Sequence, residues 1–200
     1  MARRRLNVLW VVVFALASAA GTAAAAPSWR LAAGSTNAPN GEPGQSGVSL
    51  AFGAFVPVEG RWSFGALFHV DDQGTALTAL RDPNDGTPLG VVGDLHRWTY
   101  GGEWQAEALV RRTKRWDWHW NAGFGYARQE IDRRGINAGA VSGITLSTGT
   151  AALLPLAGGH HLGLALAYRR AFLSTAADPG RSTHWATTAL EWRWQGTPKE

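Results

Sequence analysis

Several ionisable residues in this sequence have the spacing of working groups: His69-x-Asp71, Asp117-x-His119, Glu191-x-Arg193, and Glu103 four residues before Glu107. A histidine beside a carboxylate is an acid–base couple, and two carboxylates are the pair used in glycoside hydrolysis. Arg30, Arg111 and Arg169 add cations that would either hold an anion or neutralise those carboxylates. The choice between these chemistries depends on the elements that carry the residues, because side chains two apart share a face only on a strand.

The hydrophobic period is two. Between 116 and 126, Trp116, Trp118, Trp120, Ala122, Phe124 and Tyr126 alternate with Asp117, His119, Asn121, Gly123 and Gly125. Between 98 and 111, Trp98, Tyr100, Gly102, Trp104, Ala106, Ala108 and Val110 alternate with a set containing Glu103, Gln105, Glu107 and Arg111. Such alternation specifies strands. Applied along the chain it predicts eight, at about 28–35, 48–58, 62–71, 97–111, 116–130, 144–156, 161–172 and 184–194. The connections alternate between tight turns, at Glu59-Gly60-Arg61, Arg112 to Arg115 and Ala157 to His160, and long loops at 36–47, 72–96, 131–143 and 173–183. An even number of strands with short turns on one rim and long loops on the other predicts a closed, up-and-down antiparallel transmembrane β-barrel of the outer-membrane type, with short turns and both termini periplasmic. Interface aromatics fit the same frame: Trp29, Trp62, Trp116, Trp118, Trp192 and Trp194 toward the periplasmic rim, and Trp98, Tyr126 and Tyr168 toward the outer one.

The chemistry of the opening residues is decided by that frame. Carboxylates four apart on a strand stand about 13 Å apart, too far for a hydrolytic pair. The inward set expected from alternation is Arg30, His69, Asp71, Glu103, Glu107, Arg111, Asp117, His119, Arg169, Glu191 and Arg193. An eight-stranded barrel is just wide enough for side chains to fill it, so these near-balanced charges predict a sealing network of ion pairs, with no catalytic residue among them.

The N-terminus carries a basic Met-Ala-Arg-Arg-Arg, an apolar stretch from Val8 to about Ala17, and an Ala-rich tail. This is secretory signal architecture over residues 1–26, with a cut after Ala25 and a barrel domain over 27–200. The formal charge of +4 loses its meaning with the leader: without Arg3, Arg4 and Arg5 the 19 basic residues fall to 16 against 15 acidic ones. A near-neutral chain with scattered arginines has no field to recruit nucleic acid. The absence of cysteine removes disulfides, thiolate chemistry, Cys-based metal sites and a lipoprotein anchor.

The last strand, Thr187-Thr188-Ala189-Leu190-Glu191-Trp192-Arg193-Trp194, resembles the C-terminal assembly signal of outer-membrane barrels, with Ala189 where glycine is usual and residues 195–200 trailing the aromatic. The chain as a whole resembles the small OmpA, OmpX and opacity-type eight-stranded barrels of Gram-negative outer membranes. That resemblance implies lipid and lipopolysaccharide surroundings, help from the barrel-assembly machinery, no cofactor and no metal. It leads to a non-enzymatic structural or surface-interaction role through the long loops, with an unknown surface ligand. Two alternatives stay open: a lipid A deacylase-like enzyme and a narrow solute channel. For the enzyme, the rim offers Ser174, Asp178, Ser182 and His184, or His69, Asp71, Asp72 and His96, but the penultimate strand lacks the deacylase His-x-Ser. His160-His161 is the one adjacent histidine pair, at a tight turn without acidic neighbours in sequence.

Overall fold

Strands that bury one face and expose the other must also satisfy their edge hydrogen bonds, and this chain does so by closing its sheet into a ring. The computed structural model describes residues 26–37, 46–58, 60–81, 86–133, 136–174 and 181–195; the proposed leader, residues 1–25, lies outside them. The strands are β1 (Ser28–Asn37), β2 (Ser46–Pro57), β3 (Trp62–Arg81), β4 (Pro88–Arg112), β5 (Asp117–Arg133), β6 (Ile136–Pro155), β7 (His160–Ser174) and β8 (Arg181–Gln195). Each pairs antiparallel with its sequence neighbour, and β1 returns to β8 from Ser28 opposite Gln195 to Asn37 opposite Ala186. All eight predicted strands are present.

The tight turns are closed by the chain's own backbone. Val58 N donates to Trp62 O at 3.0 Å, Thr113 N to Trp116 O at 2.8 Å, and Leu156 N to His160 O at 2.8 Å. The third turn needs left-handed backbone at Gly158 and Gly159 (φ 70° and 75°), which glycine adopts without a Cβ penalty.

At the other rim the expected loops 72–96 and 131–143 are mostly strand. β3 and β4 pair onward to Arg81 opposite Pro88, with bulges after Asp72, Ala76 and Leu80, and only 82–87 remain between them. Residues 82–85 lie outside the described residues. The reason for the longer strands is backbone chemistry: paired strands satisfy N–H and C=O groups that a long loop would leave to solvent. Gly74 (φ 69°) lets the strand pass the bulge. Likewise β5 and β6 continue to Arg133 opposite Ile136, past a register shift at Ile131 and Asp132. The other two connections shorten by two or three residues at each end.

The outer wall carries Leu50, Phe52, Phe64, Phe124, Leu162, Leu164, Leu166 and Leu190, all exposed. An apolar belt on this scale belongs in hydrocarbon, where a closed sheet leaves no backbone group unpaired. The lumen is mostly polar, with one small apolar cluster of Ala32, Ala51, Phe55, Leu67 and Ala189 and another of Ala171, Leu173 and Trp185.

Closure of the ring depends on a close approach at Gly34, where an added Cβ would stand 2.0 Å from Thr188 O and 2.4 Å from Ala189 Cα. Gly34→Val is expected to destabilise the folded barrel by about 1–3 kcal/mol. Gly102→Ala, where a Cβ meets nothing within 4 Å, should be close to neutral. Urea unfolding in detergent micelles compares the two, and equal midpoints would contradict a tightly packed seam.

Candidate functional site

The polar side chains of the lumen form stacked clusters, and each member reaches the interior because its strand alternates. Nearest the short turns, Arg30 from β1 and Arg193 from β8 share Glu107 from β4 and Glu191 from β8. Arg30 pairs with Glu107 and, at 3.0 Å, with Glu191. Arg193 pairs with both of the same carboxylates. His119 on β5 adds its Nδ1 at 3.2 Å from Glu107 Oε1, and the Arg30 guanidinium lies 4.7 Å from the Phe55 ring centre.

Farther along the barrel a second cluster centres on Arg169 from β7. Its Nε is 3.0 Å from Glu103 Oε1 and its Nη1 3.6 Å from Asp71 Oδ2. His69 stands between the same two carboxylates, with Nδ1 2.8 Å from Asp71 and Nε2 3.5 Å from Glu103. Ser49 Oγ donates to Asp71 Oδ1 at 2.6 Å and Trp185 Nε1 to Asp71 Oδ2 at 2.9 Å, while Ser147 Oγ donates to Glu103 Oε2 at 2.8 Å. Space for these groups comes from missing side chains. A Cβ at Gly101 would sit 2.9 Å from His69 Nε2, and one at Gly123 would sit 2.7 Å from Gln105 Cγ.

Gln105 joins the clusters. Its Nε2 donates to Glu103 Oε2 at 2.8 Å, and its Oε1 accepts from Arg30 Nη1 at 3.2 Å. Beyond the second cluster, toward the long hairpins, Gln129 Nε2 donates to Gln73 Oε1 at 3.2 Å and to Thr99 Oγ1 at 3.1 Å, and Gln73 Nε2 also reaches Thr99 Oγ1 at 3.1 Å. Three buried arginines thus sit among four buried carboxylates, each arginine touching two. Removing charges from water costs several kcal/mol each, so such a group persists only with its partners in place.

Of the residues expected inside, Arg30, His69, Asp71, Glu103, Glu107, Arg169, Glu191, Arg193 and His119 are brought together in these two clusters. Asp117 is buried but belongs to the turn rim, where it takes Arg112 Nε at 3.0 Å and lies 3.9 Å from His161 Nε2. Arg111 corrects the expectation. β4 and β5 slip register between Leu109 and Arg111, so Arg111 pairs with outward-facing Trp118 and is exposed on the outer wall. One extra residue in one strand reverses the face of the residues after it. Sequence reasoning placed Gln105 on the face of Glu103 and Glu107 without giving it a role, and passed over Gln73, Thr99, Gln129, Ser49, Ser147 and Trp185, although the parity of His69-x-Asp71-x-Gln73 already carried the signal.

All the named interface aromatics lie on the outer wall. Trp62, Trp98, Trp116, Trp118, Tyr126, Tyr168 and Trp192 are exposed, and Trp29 and Trp194 are half-buried, stacked on each other at 6.2 Å. His96 and Asp72 form a partly exposed pair of 2.7 Å at the long-hairpin rim, with His96 stacked on Trp98. Asp178 and the side chains of Ser174 and Ser182 lie outside the described residues. His160 and His161 point to opposite faces: His160 stacks on Trp192 and His161 turns toward Asp117. Among the described residues no three His, Cys, Asp or Glu side chains are grouped to hold a metal ion.

A closed ring of eight antiparallel strands, apolar outside and charged inside, is the fold of the small outer-membrane β-barrels. Among solved structures, Neisserial surface protein A (NspA) superposes with a TM-score of 0.60 at 12% identity, covering 85% of this chain and 96% of that one. A major outer membrane protein from Thermus thermophilus gives 0.49 at 15% identity, over 86% and 100% of the two chains. Ail, the attachment invasion locus protein of Yersinia pestis, gives 0.44 at 11% identity, over 86% and 99%. No protein-family model matches the sequence, and no curated protein does. The likeness to NspA shows a shared fold.

Arg169 is the cation on which the second cluster turns, so Arg169→Met is expected to cost about 3–5 kcal/mol by leaving Glu103 and Asp71 underpaired. Adding Glu103→Met should recover part of that loss, giving a double variant less damaged than the two single effects summed. Urea unfolding of the four proteins of this cycle is the measurement. A single-variant loss under about 1 kcal/mol would mean that water, not Arg169, balances the carboxylates.

Proposed function

We propose that this chain is a non-enzymatic outer-membrane barrel with a sealed polar interior, serving a structural or surface-interaction role through its long hairpins. One observation carries the reading: a chain of buried bonds links the two ion clusters along the lumen through Gln105. Where side chains bond to one another across the lumen, solutes have no continuous water path. The same side chains are committed to salt bridges, which removes them from acid–base work. In this reading residues 1–26 direct export and are removed, the barrel of residues 27–200 is inserted by the assembly machinery, and the short turns and both termini face the periplasm.

The working surface is then the β3–β4 hairpin. β2 leaves β3 at Asp71 and β5 joins β4 only at Leu95, so residues 76–81 of β3 and 88–94 of β4 form a two-stranded ribbon with no further neighbour among the described strands. Six residues of β3 beyond Thr75 extend it by about 20 Å along the strand. A two-stranded ribbon of that reach, clear of the wall, is suited to meeting lipopolysaccharide or another surface.

Purified protein reconstituted in a planar bilayer is expected to show no discrete conductance steps, and stable unitary steps would overturn the sealed lumen. On whole cells, added protease is expected to cut within 76–94 and to spare the turns at 59–61 and 112–115. The reverse pattern would invert the orientation.

A further inference from the structure

The bulge that expels Arg111 from the lumen builds a feature on the outer wall that neither barrel closure nor lumen packing requires. Val110, Arg111, Trp118, Trp120 and Thr150 line a groove of about 370 Å³ at the short-turn end, floored by His119. The floor is held there by Thr150 Oγ1, which donates to His119 O at 2.9 Å. Its walls are aromatic and aliphatic, and the guanidinium of Arg111 is its cation. Around it the adjoining turns add Arg61, whose Nη1 donates to Val110 O at 3.4 Å, and exposed Lys114 and Arg115. Arg112, beside them, is spent on Asp117. Among the described residues Arg61, Arg111, Lys114 and Arg115 have no carboxylate partner.

An apolar groove with an unpaired cation at the edge of an apolar belt matches an amphiphile that is itself apolar below and anionic above. We propose that this groove binds an anionic phospholipid, its phosphate on Arg111 and the upper part of one acyl chain against Trp118 and Trp120. The inference rests on the membrane placement proposed above, which sets this rim at the headgroup level of the periplasmic leaflet. The guanidinium of Arg111 also repels the ammonium of a zwitterionic headgroup and so favours one with net negative charge, while Arg61, Lys114 and Arg115 do not line the groove. A cation near an anionic lipid surface favours it by about fivefold.

Native mass spectrometry of the full-length protein released from micelles holding equal amounts of phosphatidylglycerol and phosphatidylethanolamine, matched in acyl chain, tests this. The wild type is expected to retain phosphatidylglycerol about fivefold over phosphatidylethanolamine. Arg111→Gln should bring the ratio close to one, and Arg111→Lys should keep it. Arg170→Gln, which removes an exposed arginine stacked on Phe172 toward the other rim, should leave it unchanged. Equal retention of both lipids by the wild type, or an undiminished preference in Arg111→Gln, overturns the proposal. So does displacement of the lipid by millimolar inorganic phosphate, which would identify a site for free anions. Heat-modifiable migration in SDS gels, read on every variant, reports separately whether the barrel itself has formed.

Discussion

Everything in this molecule depends on the hydrogen bonds between β1 and β8. A sheet of seven paired interfaces would still carry two bare edges, each a row of N–H and C=O groups with no partner in hydrocarbon. The eighth interface, from Ser28 with Gln195 to Asn37 with Ala186, removes both. Once the ring is closed, its two faces are separated, and the alternation of the strands sorts side chains between them without further specification. Apolar groups go to the outer wall and charged ones to a narrow interior.

That interior sets a second constraint. Its width excludes bulk water from most of the charged groups, so arginines and carboxylates must neutralise each other by direct contact. The outcome is two compact groups, Arg30, Arg193, Glu107 and Glu191 at one level, and Arg169, His69, Glu103 and Asp71 at the next. Polar packing takes the place that a hydrophobic core has in a soluble domain, and glycines such as Gly101 and Gly123 do the work of small core residues.

Much of this was legible in the sequence because one physical rule, period two, governs both the wall and the lumen. Trp116 to Tyr126 identified a strand and its outward face at once, and Arg30, Glu103, Arg169 and Glu191 followed by parity. The rule fails wherever the ladder gains a residue. At Val110 that displacement carried Arg111 outside, and nothing in Leu109-Val110-Arg111-Arg112 announces it. The stretch 72–96 was hidden for a different reason. Asp71-Asp72-Gln73-Gly74 has the composition of a loop, and its pairing with Trp98 and Thr99 is a tertiary fact. Trp185 was overlooked because aromatics were assigned to the wall by type, when its odd position already placed it inside beside Asp71.

The order Glu103, Gln105, Glu107 along β4 has a consequence for assembly. A strand that slides by one residue turns every side chain to the wrong face and is rejected at once. A slide by two keeps the faces correct and the wall hydrogen bonds intact, so the wall alone is blind to it. The lumen is not. Such a slide would put a neutral residue, Gln105 together with Gly101 or Leu109, at the levels where Glu103 now meets Arg169 and Glu107 meets Arg30 and Arg193. A buried arginine left opposite a neutral group loses the pairing that offsets its removal from water, at a cost of several kcal/mol. A neutral residue between two acidic ones thus serves as a register key, telling the correct alignment of β4 from the one error that the barrel wall would otherwise accept.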